Sequence, residues 1–344
     1  MVTMREVGPD GSGSPKISRL RQEVCGFVES VSLPTLFMVT TAGSAILRRI
    51  AGLEFPDMLV VLLTTTYAIM AFQAVNARHV ATLHKNLIRQ HKSLWLRLNL
   101  VLLTVSMGAF LIPIYFTPFA AVFATTSLPT LYILISAYRT TRRTSTLLNS
   151  IIFAAAIVVF YMRYTIDYRG WQLTGFCVAT AVVGLGCFAS LRLSGRMVEH
   201  GFTPSQIAGS RLWLLWLASL SYAVYDHELT AINSEIMLST AVLAVTSIIL
   251  PVYCLQKSIA VLGPDKTGVL IGFTPMVVLV MEFVFLHEID TAGVAPAVLV
   301  PVITVVFAFY QWRSSGGAAA PSSGPAAASS SHGTADTATA VSKR

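Results

Sequence analysis

The chain has 344 residues, of which 54% are hydrophobic and only 12% charged. A soluble protein carries about twice that charged fraction, so a single water-soluble core is excluded and a polytopic membrane protein is indicated. The formal net charge of +8 then reads as Lys and Arg retained on the cytoplasmic side, and no soluble module is present to bind nucleic acid.

Residues 1–29 form a polar N-terminal segment with "PDGSGSP" near its middle. Apolar runs follow at 30–47, 58–77, 98–116, 117–138, 145–162, 170–191, 204–225, 236–256, 267–286 and 291–312. Each is close to the roughly 20 residues that a helix needs to cross hydrocarbon. The runs are continuously apolar and lack period-two alternation, which favours helices over barrel strands. The expected fold is an all-α polytopic membrane protein with ten transmembrane helices. Spans 3 and 4 are separated only by the tight turn in "LIPIYFTPF". "AGSA" at 42–45 loosely resembles a signal cleavage site, but the polar region before it is too long for a signal peptide. The tail, 313–344, is rich in Ala, Ser, Gly and Pro and lacks the apolar content to order itself.

Loop charges set the orientation. With the N-terminus inside, the inner segments hold Arg5, Lys16, Arg19 and Arg21, then Arg78, Lys85, Arg89 and Lys92, then Arg139, Arg142 and Arg143. Later inner segments hold Arg192, Arg196, Lys257, Lys266, Arg313, Lys343 and Arg344, whereas the outer loops hold only Arg48, Arg49, Arg163 and Arg169. This bias places both termini in the cytoplasm. The acidic loop "YDHE" and Glu235 fall outside. The Ala/Ser/Gly-rich tail and the excess of Arg over Lys point to a GC-rich bacterial genome, hence to an inner membrane.

Ten spans divide into two sets of five, and an odd number per set inverts the second set in the membrane. Pro118 and Pro129 recur as Pro264 and Pro275, and "FP" before span 2 has a counterpart in "FTP" before span 7. The corresponding units are 30–162 and 170–312. Inverted repeats with interrupted helices are the architecture of secondary transporters.

In the second half, "GLGCFASLRLSGRMVEHGFTPSQIAGSRLWLL" precedes "LPVYCLQKSIAVLGPDKTGVLIGFTPMVVLVMEFVFLHE". This resembles the EamA domain of the drug/metabolite transporter superfamily. Ser205, Gln206 and Arg211 match its cytoplasmic motif before span 7, Tyr253 the aromatic late in span 8, and Gly263 the small-residue turn. Pro275 matches the mid-helix proline of span 9, and Glu288 the terminal acid. The first half follows the pattern loosely, keeping the proline but carrying Arg139, Arg142 and Arg143 where an acidic residue is usual. The resemblance implies two inverted five-helix halves around a central cavity lined mainly by spans 3, 4, 8 and 9. It also implies a small-metabolite or amphiphilic, drug-like substrate, moved by export or exchange.

Pro129 and Pro275 each remove a backbone donor and are expected to kink spans 4 and 9, either as gating elements or for packing alone. Thr126, Ser127 and Thr274 beside them could offer hydroxyls to a substrate, though hydroxyls that bond back onto their own helix are commoner. Glu282 lies almost two turns beyond Pro275 on nearly the same face. An acid within a span is a candidate for binding a cation or exchanging a proton, against the simpler reading that it reaches headgroup water. Arg211, two turns into span 7, is a candidate for a substrate carboxylate or phosphate, against snorkelling to the interface. Tyr115, Tyr132, Tyr253, Gln73, Asn76 and Asn99 are weaker candidates for a cavity lining, and Asn76 and Asn99 lie close to the cytoplasmic ends, where water alone would explain them. Lys266 reads as an interface anchor. His79, His84 and His91 lie in a basic loop that should run along anionic headgroups.

Cys25, Cys177, Cys187 and Cys254 are scattered and without CxxC spacing, so neither a disulfide framework nor a zinc site is supported. No GxxxxGK[ST], GxSxG or HExxH occurs. The sequence therefore gives no catalytic residue, metal or cofactor. Its expected partners are a small molecule, with protons as a coupling option, and membrane lipid. The alternative is an integral-membrane enzyme acting on a lipid-linked substrate.

Overall fold

A computed structural model describes the backbone of residues 15–50, 58–111, 118–142, 144–164 and 170–287, with residues 294, 298, 299 and 302 beyond them. The chain divides into two units, Met1–Ala308 and Phe309–Arg344, and every described residue belongs to the first. Span 10, Tyr115, Glu288 and the tail lie outside the described residues, apart from those four positions of span 10.

Among the described residues all regular structure is helical. The long helices are α1 (Pro15–Ile50), α2 (Met58–Val75), the short α3 (Val80–Gln90), α4 (Lys92–Leu111), α5 (Pro118–Thr141), α6 (Thr144–Tyr164) and α7 (Trp171–Glu199). Then come α8 (Pro204–Ser210), α9 (Trp213–Tyr225), α10 (Ser234–Ala244), α11 (Leu250–Leu262), α12 (Pro264–Ile271) and α13 (Thr274–Leu286). Among the described residues five stretches are long and apolar enough to cross a membrane: Met58–Val75, Cys177–Glu199, Pro204–Tyr225, Ser234–Leu262 and Pro264–Leu286. In Ser234–Leu262 only 17% of the most apolar window is buried within the protein. Side chains such as Leu238, Val242, Val280, Phe283 and Val284 are more than half exposed. In water so wide an apolar surface would drive association; in lipid it is the expected outer face. The protein is an all-α, multi-pass membrane-embedded protein.

The helices meet in a consistent scheme. α4 packs on α7, and α1 on α11; α5 packs on α7, and α1 on α13; α10 packs on α2, and α4 on α9. α2 also packs on α8 and α9, and α5 on α12 and α13. The main core joins Phe123, Ile133 and Leu134 of α5 to Phe153 of α6, Leu191 of α7, Ile259 of α11 and Val278 of α13. Close approach is built from small residues, as association within lipid requires. A Cβ on Gly268 of α12 would stand 2.0 Å from Ile133 Cδ1, and one on Gly184 of α7 would stand 2.4 Å from Leu128 Cβ.

One end of the bundle is defined by contact. Leu87 of α3, Leu98 of α4, Met197 of α7 and Ile207 of α8 share a core there, and Arg192 of α7 pairs with Asp265 of α12 at 2.9 Å. This end gathers Arg78, Lys85, Arg89, Lys92, Arg139, Arg196 and Lys266, whereas Asp226, Glu228 and Glu235 lie at the far ends of the helices. Two stretches differ here from the sequence-based expectation. α7 continues past residue 191 to Glu199, because Met197 and Val198 still find apolar partners. Arg192 and Arg196 are therefore helical and not in a loop. The basic loop after α2 is a single helical turn, Ala77–His79, followed by α3, which docks through Leu87.

Candidate functional site

Three of the apolar stretches are interrupted, each for a different local reason. Span 9 breaks at Gly272–Phe273, between α12 and α13. Pro275 therefore sits in the first turn of α13 and does not kink a continuous helix. There its missing N–H removes no bond within α13, whose first N–H groups have no partner in their own helix. The Ile271 carbonyl, which a donor at 275 would have engaged, instead accepts from the Thr274 hydroxyl at 2.6 Å. Thr274 is fully buried and supports the backbone in this way. Pro129, by contrast, lies inside the continuous α5. Span 8 carries a π turn, Val245–Ile249, directly ahead of Pro251. The Ser247 hydroxyl in that turn accepts from the Ser44 hydroxyl of α1 at 2.6 Å. Single π turns of this kind recur at functional sites.

The third interruption is at Arg211–Leu212, between α8 and α9. α8 opens with a reciprocal capping box: Thr203 accepts from the Gln206 N–H, and the Gln206 side chain accepts from the Thr203 N–H. Ser205 donates to Asn76 Oδ1 of α2 at 3.1 Å. These contacts give Ser205 and Gln206 a structural role. Seven residues later the helix yields, and α4 bridges the gap. Asn99 Nδ2 and Trp95 Nε1 both donate to the Ser210 carbonyl, at 2.9 and 2.8 Å. Asn99 Oδ1 accepts from the Leu214 N–H at 3.3 Å. Asn99 is fully buried, so it is an internal brace and not a water-exposed end residue.

Arg211 stands at this break with 5% of its surface exposed. Its Nη2 donates to the Ser190 hydroxyl of α7 at 3.0 Å. Its Nε and Nη1 have no hydrogen-bond partner among the described residues. A buried cation without a counter-charge costs several kcal/mol, so this group is not a snorkelling surface arginine. One turn along α7, the Ser194 hydroxyl receives Gln256 Nε2 of α11 at 3.4 Å. Gln256 is fully buried, and its Oε1 is unpartnered among the described residues. Gln73 Oε1 of α2 is likewise buried without a partner, and its amide lies beside Gly209. Ser127 of α5 is buried with its Oγ unpartnered among the described residues.

Glu282 is 3% exposed within α13, so it does not reach headgroup water in this conformation. Tyr253 is exposed on the surface of α11 and does not join the interior polar groups. Tyr132 lies 6.0 Å from the Phe188 ring. Lys266 is exposed at the basic end. Arg192, besides pairing with Asp265, donates to Ser136 of α5 at 3.1 Å and lies over Phe188. It thereby joins α5, α7 and α12 at the basic end. Sequence reasoning passed over Ser190, Ser194 and Gln256. The legible signal for the two serines is the stripe Cys187, Ser190, Ser194 in "CFASLRLS", which places small polar residues on one helical face; Gln256 has no such signal. Among the described residues no group of three His, Cys, Asp or Glu side chains assembles.

The fold and these polar interruptions define a class, an all-helical multi-pass membrane protein with buried polar groups between its helices. No protein-family profile matches the chain, and no curated protein matches it. Solved structures do match. One, described only as "Crystal structure of protein", is 16% identical, with a TM-score of 0.58 over 83% of this chain and 98% of that one. That likeness concerns the fold alone.

Proposed function

We propose that the chain is a secondary transporter of the EamA type within the drug/metabolite transporter superfamily. Ten spans form two inverted five-helix halves, which move a small metabolite or an amphiphilic, drug-like compound by alternating access. The observation that carries this reading is the packing scheme. Exchanging the first half for the second turns α4 on α7 into α11 on α1, α5 on α7 into α13 on α1, and α10 on α2 into α4 on α9. The crossings of α2 with α8–α9 and of α5 with α12–α13 map onto themselves. The matched prolines fit the same exchange, since Pro118 opens α5 as Pro264 opens α12.

Such a bundle rocks about its self-paired crossings. The basic end faces the cytoplasm, as the positive-inside rule requires, in a bacterial inner membrane with both termini inside. At that end the Arg192–Asp265–Ser136 contacts tie α7, α12 and α5 together, an arrangement suited to closing the inner mouth. Towards the other end, buried Glu282 supports coupling to protons or to a cationic group. Export or exchange follows from the resemblance to exporters.

Purified protein in liposomes tests the reading against amino acids, nucleosides and cationic drugs, with and without a proton gradient. Protein-dependent movement of at least one compound, saturable and altered by the gradient, is expected. No movement of any compound under either condition would contradict it.

A further inference from the structure

We infer that the α8–α9 break is a binding subsite for the anionic group, carboxylate or phosphate, of a small polar substrate; this rests on the transporter reading. Two independent observations meet there. The first is an N-terminus: α9 begins at Trp213, so the positive dipole end of a 13-residue helix lies at the break, with its Leu214 N–H already donated to Asn99 Oδ1. The second is Arg211, 95% buried, with Nε and Nη1 unpartnered among the described residues. Among the described residues its side chain bonds only a neutral hydroxyl, Ser190, which does not offset the charge. Placing a cation at a positive helix end is unfavourable unless an anion completes the site.

The surroundings specify the rest of the ligand. Ser190 and Ser194 are one turn apart on α7 and face the same way. Arg211 reaches the first and Gln256 the second, so guanidinium and amide converge on one stripe. Gln256 Oε1 and Gln73 Oε1 are unpartnered acceptors, on α11 and α2, both of which pack against α8. Donors from Arg211 beside acceptors from two glutamines suit an organic anion that also carries a hydroxyl or N–H. Arg211 lies seven residues past Pro204, roughly 10 Å from the basic end of its span. That is far enough inside to require a ligand or headgroup that enters the bundle.

The test uses full-length protein in phosphatidylcholine nanodiscs, with inorganic phosphate or lactate replacing chloride at constant ionic strength. Thermal unfolding and intrinsic tryptophan fluorescence are followed, Trp95, Trp213 and Trp216 being the tryptophans beside the break. At about ten times the half-saturating concentration, a saturable rise in Tm of roughly 2–4 °C is expected from one or both anions. In Arg211→Met that response should vanish, while the variant without anion melts no lower than the unmodified protein. Ser190→Ala, which keeps the charge, should need several-fold more anion, so the proposal does not hinge on one variant folding. Equal responses in unmodified protein and Arg211→Met would overturn it, as would no response to either anion. A Tm already raised in phosphatidylglycerol nanodiscs and insensitive to added anion would assign the site to lipid phosphate and overturn the substrate assignment. Flux of neutral or cationic compounds without any anion response would sink this inference and leave the transporter reading standing. Anion binding without flux of any compound would leave an anion site at the break but overturn the transporter reading and, with it, the substrate assignment.

Discussion

At the scale of single residues, the decisive feature is which polar groups the interior satisfies. Thr274 occupies the carbonyl left free by Pro275, and Asn99 engages both a donor and an acceptor across the α8–α9 break. Asn99→Ala strands the Leu214 N–H in a buried position, so it should lower stability by about 1–3 kcal/mol, read as a fall in Tm. A melting curve unchanged from the unmodified protein would show that water replaces the amide. Glu282→Gln tests coupling: transport should lose its dependence on the proton gradient, whereas unchanged flux and pH dependence would remove Glu282 from the mechanism. Candidate residues were only partly legible at this scale. Arg211 and Glu282 stand out because charge in an apolar run is costly wherever it faces. Asn99 looked like an end residue because counting along a helix cannot reveal that α8 and α9 break against it. Tyr253 looked like a lining group, yet periodicity does not say which face of α11 meets lipid.

Helices and their seams form the next scale. The apolar runs made the spans readable, and α2, α5 and α6 fall close to their expected limits. The interruptions were less readable, since a proline announces a weak point but not how the backbone resolves it. Pro129 is carried within α5, Pro251 follows a π turn, and Pro275 starts a new helix. At Gly263 the chain turns with φ of +82° between α11 and α12, a conformation that glycine adopts without strain. The α5–α12 seam depends on Gly268 lying against Ile133. Gly268→Val overpacks it and should cost about 1–3 kcal/mol, with Ile133→Ala restoring part of the loss; failure of that rescue would mean that the seam is not the site of strain. The Arg192–Asp265 pair is about half exposed, so Asp265→Asn should change stability by no more than about 1 kcal/mol. If the pair closes the inner mouth, the same change should speed labelling of a Ser194→Cys thiol. Unaltered labelling would make the pair ornamental to gating.

For the whole molecule, the packing scheme and the charge asymmetry point the same way. α4 on α7, α5 on α7 and α10 on α2 have counterparts in α11 on α1, α13 on α1 and α4 on α9 under the proposed repeat, and basic residues gather at one end of the bundle. The proposed orientation predicts that a cysteine at Asp226 reacts with an impermeant maleimide in intact cells, while one at His200 does not until the membrane is opened; the opposite pattern would reverse it. What was legible in the sequence at this scale is the coarse class, helical and membrane-embedded, because the length of apolar runs depends on hydrocarbon thickness more than on side-chain detail. The substrate was not, because it depends on which polar groups converge between helices far apart in the chain.

The central claim, transport by alternating access, is met most directly by flux in proteoliposomes carrying the unmodified protein, with protein-free liposomes alongside. The account predicts saturable, protein-dependent movement of at least one small metabolite or amphiphile that responds to an imposed proton gradient. Movement no faster than in protein-free liposomes, across the whole panel and with the gradient in either direction, would contradict it.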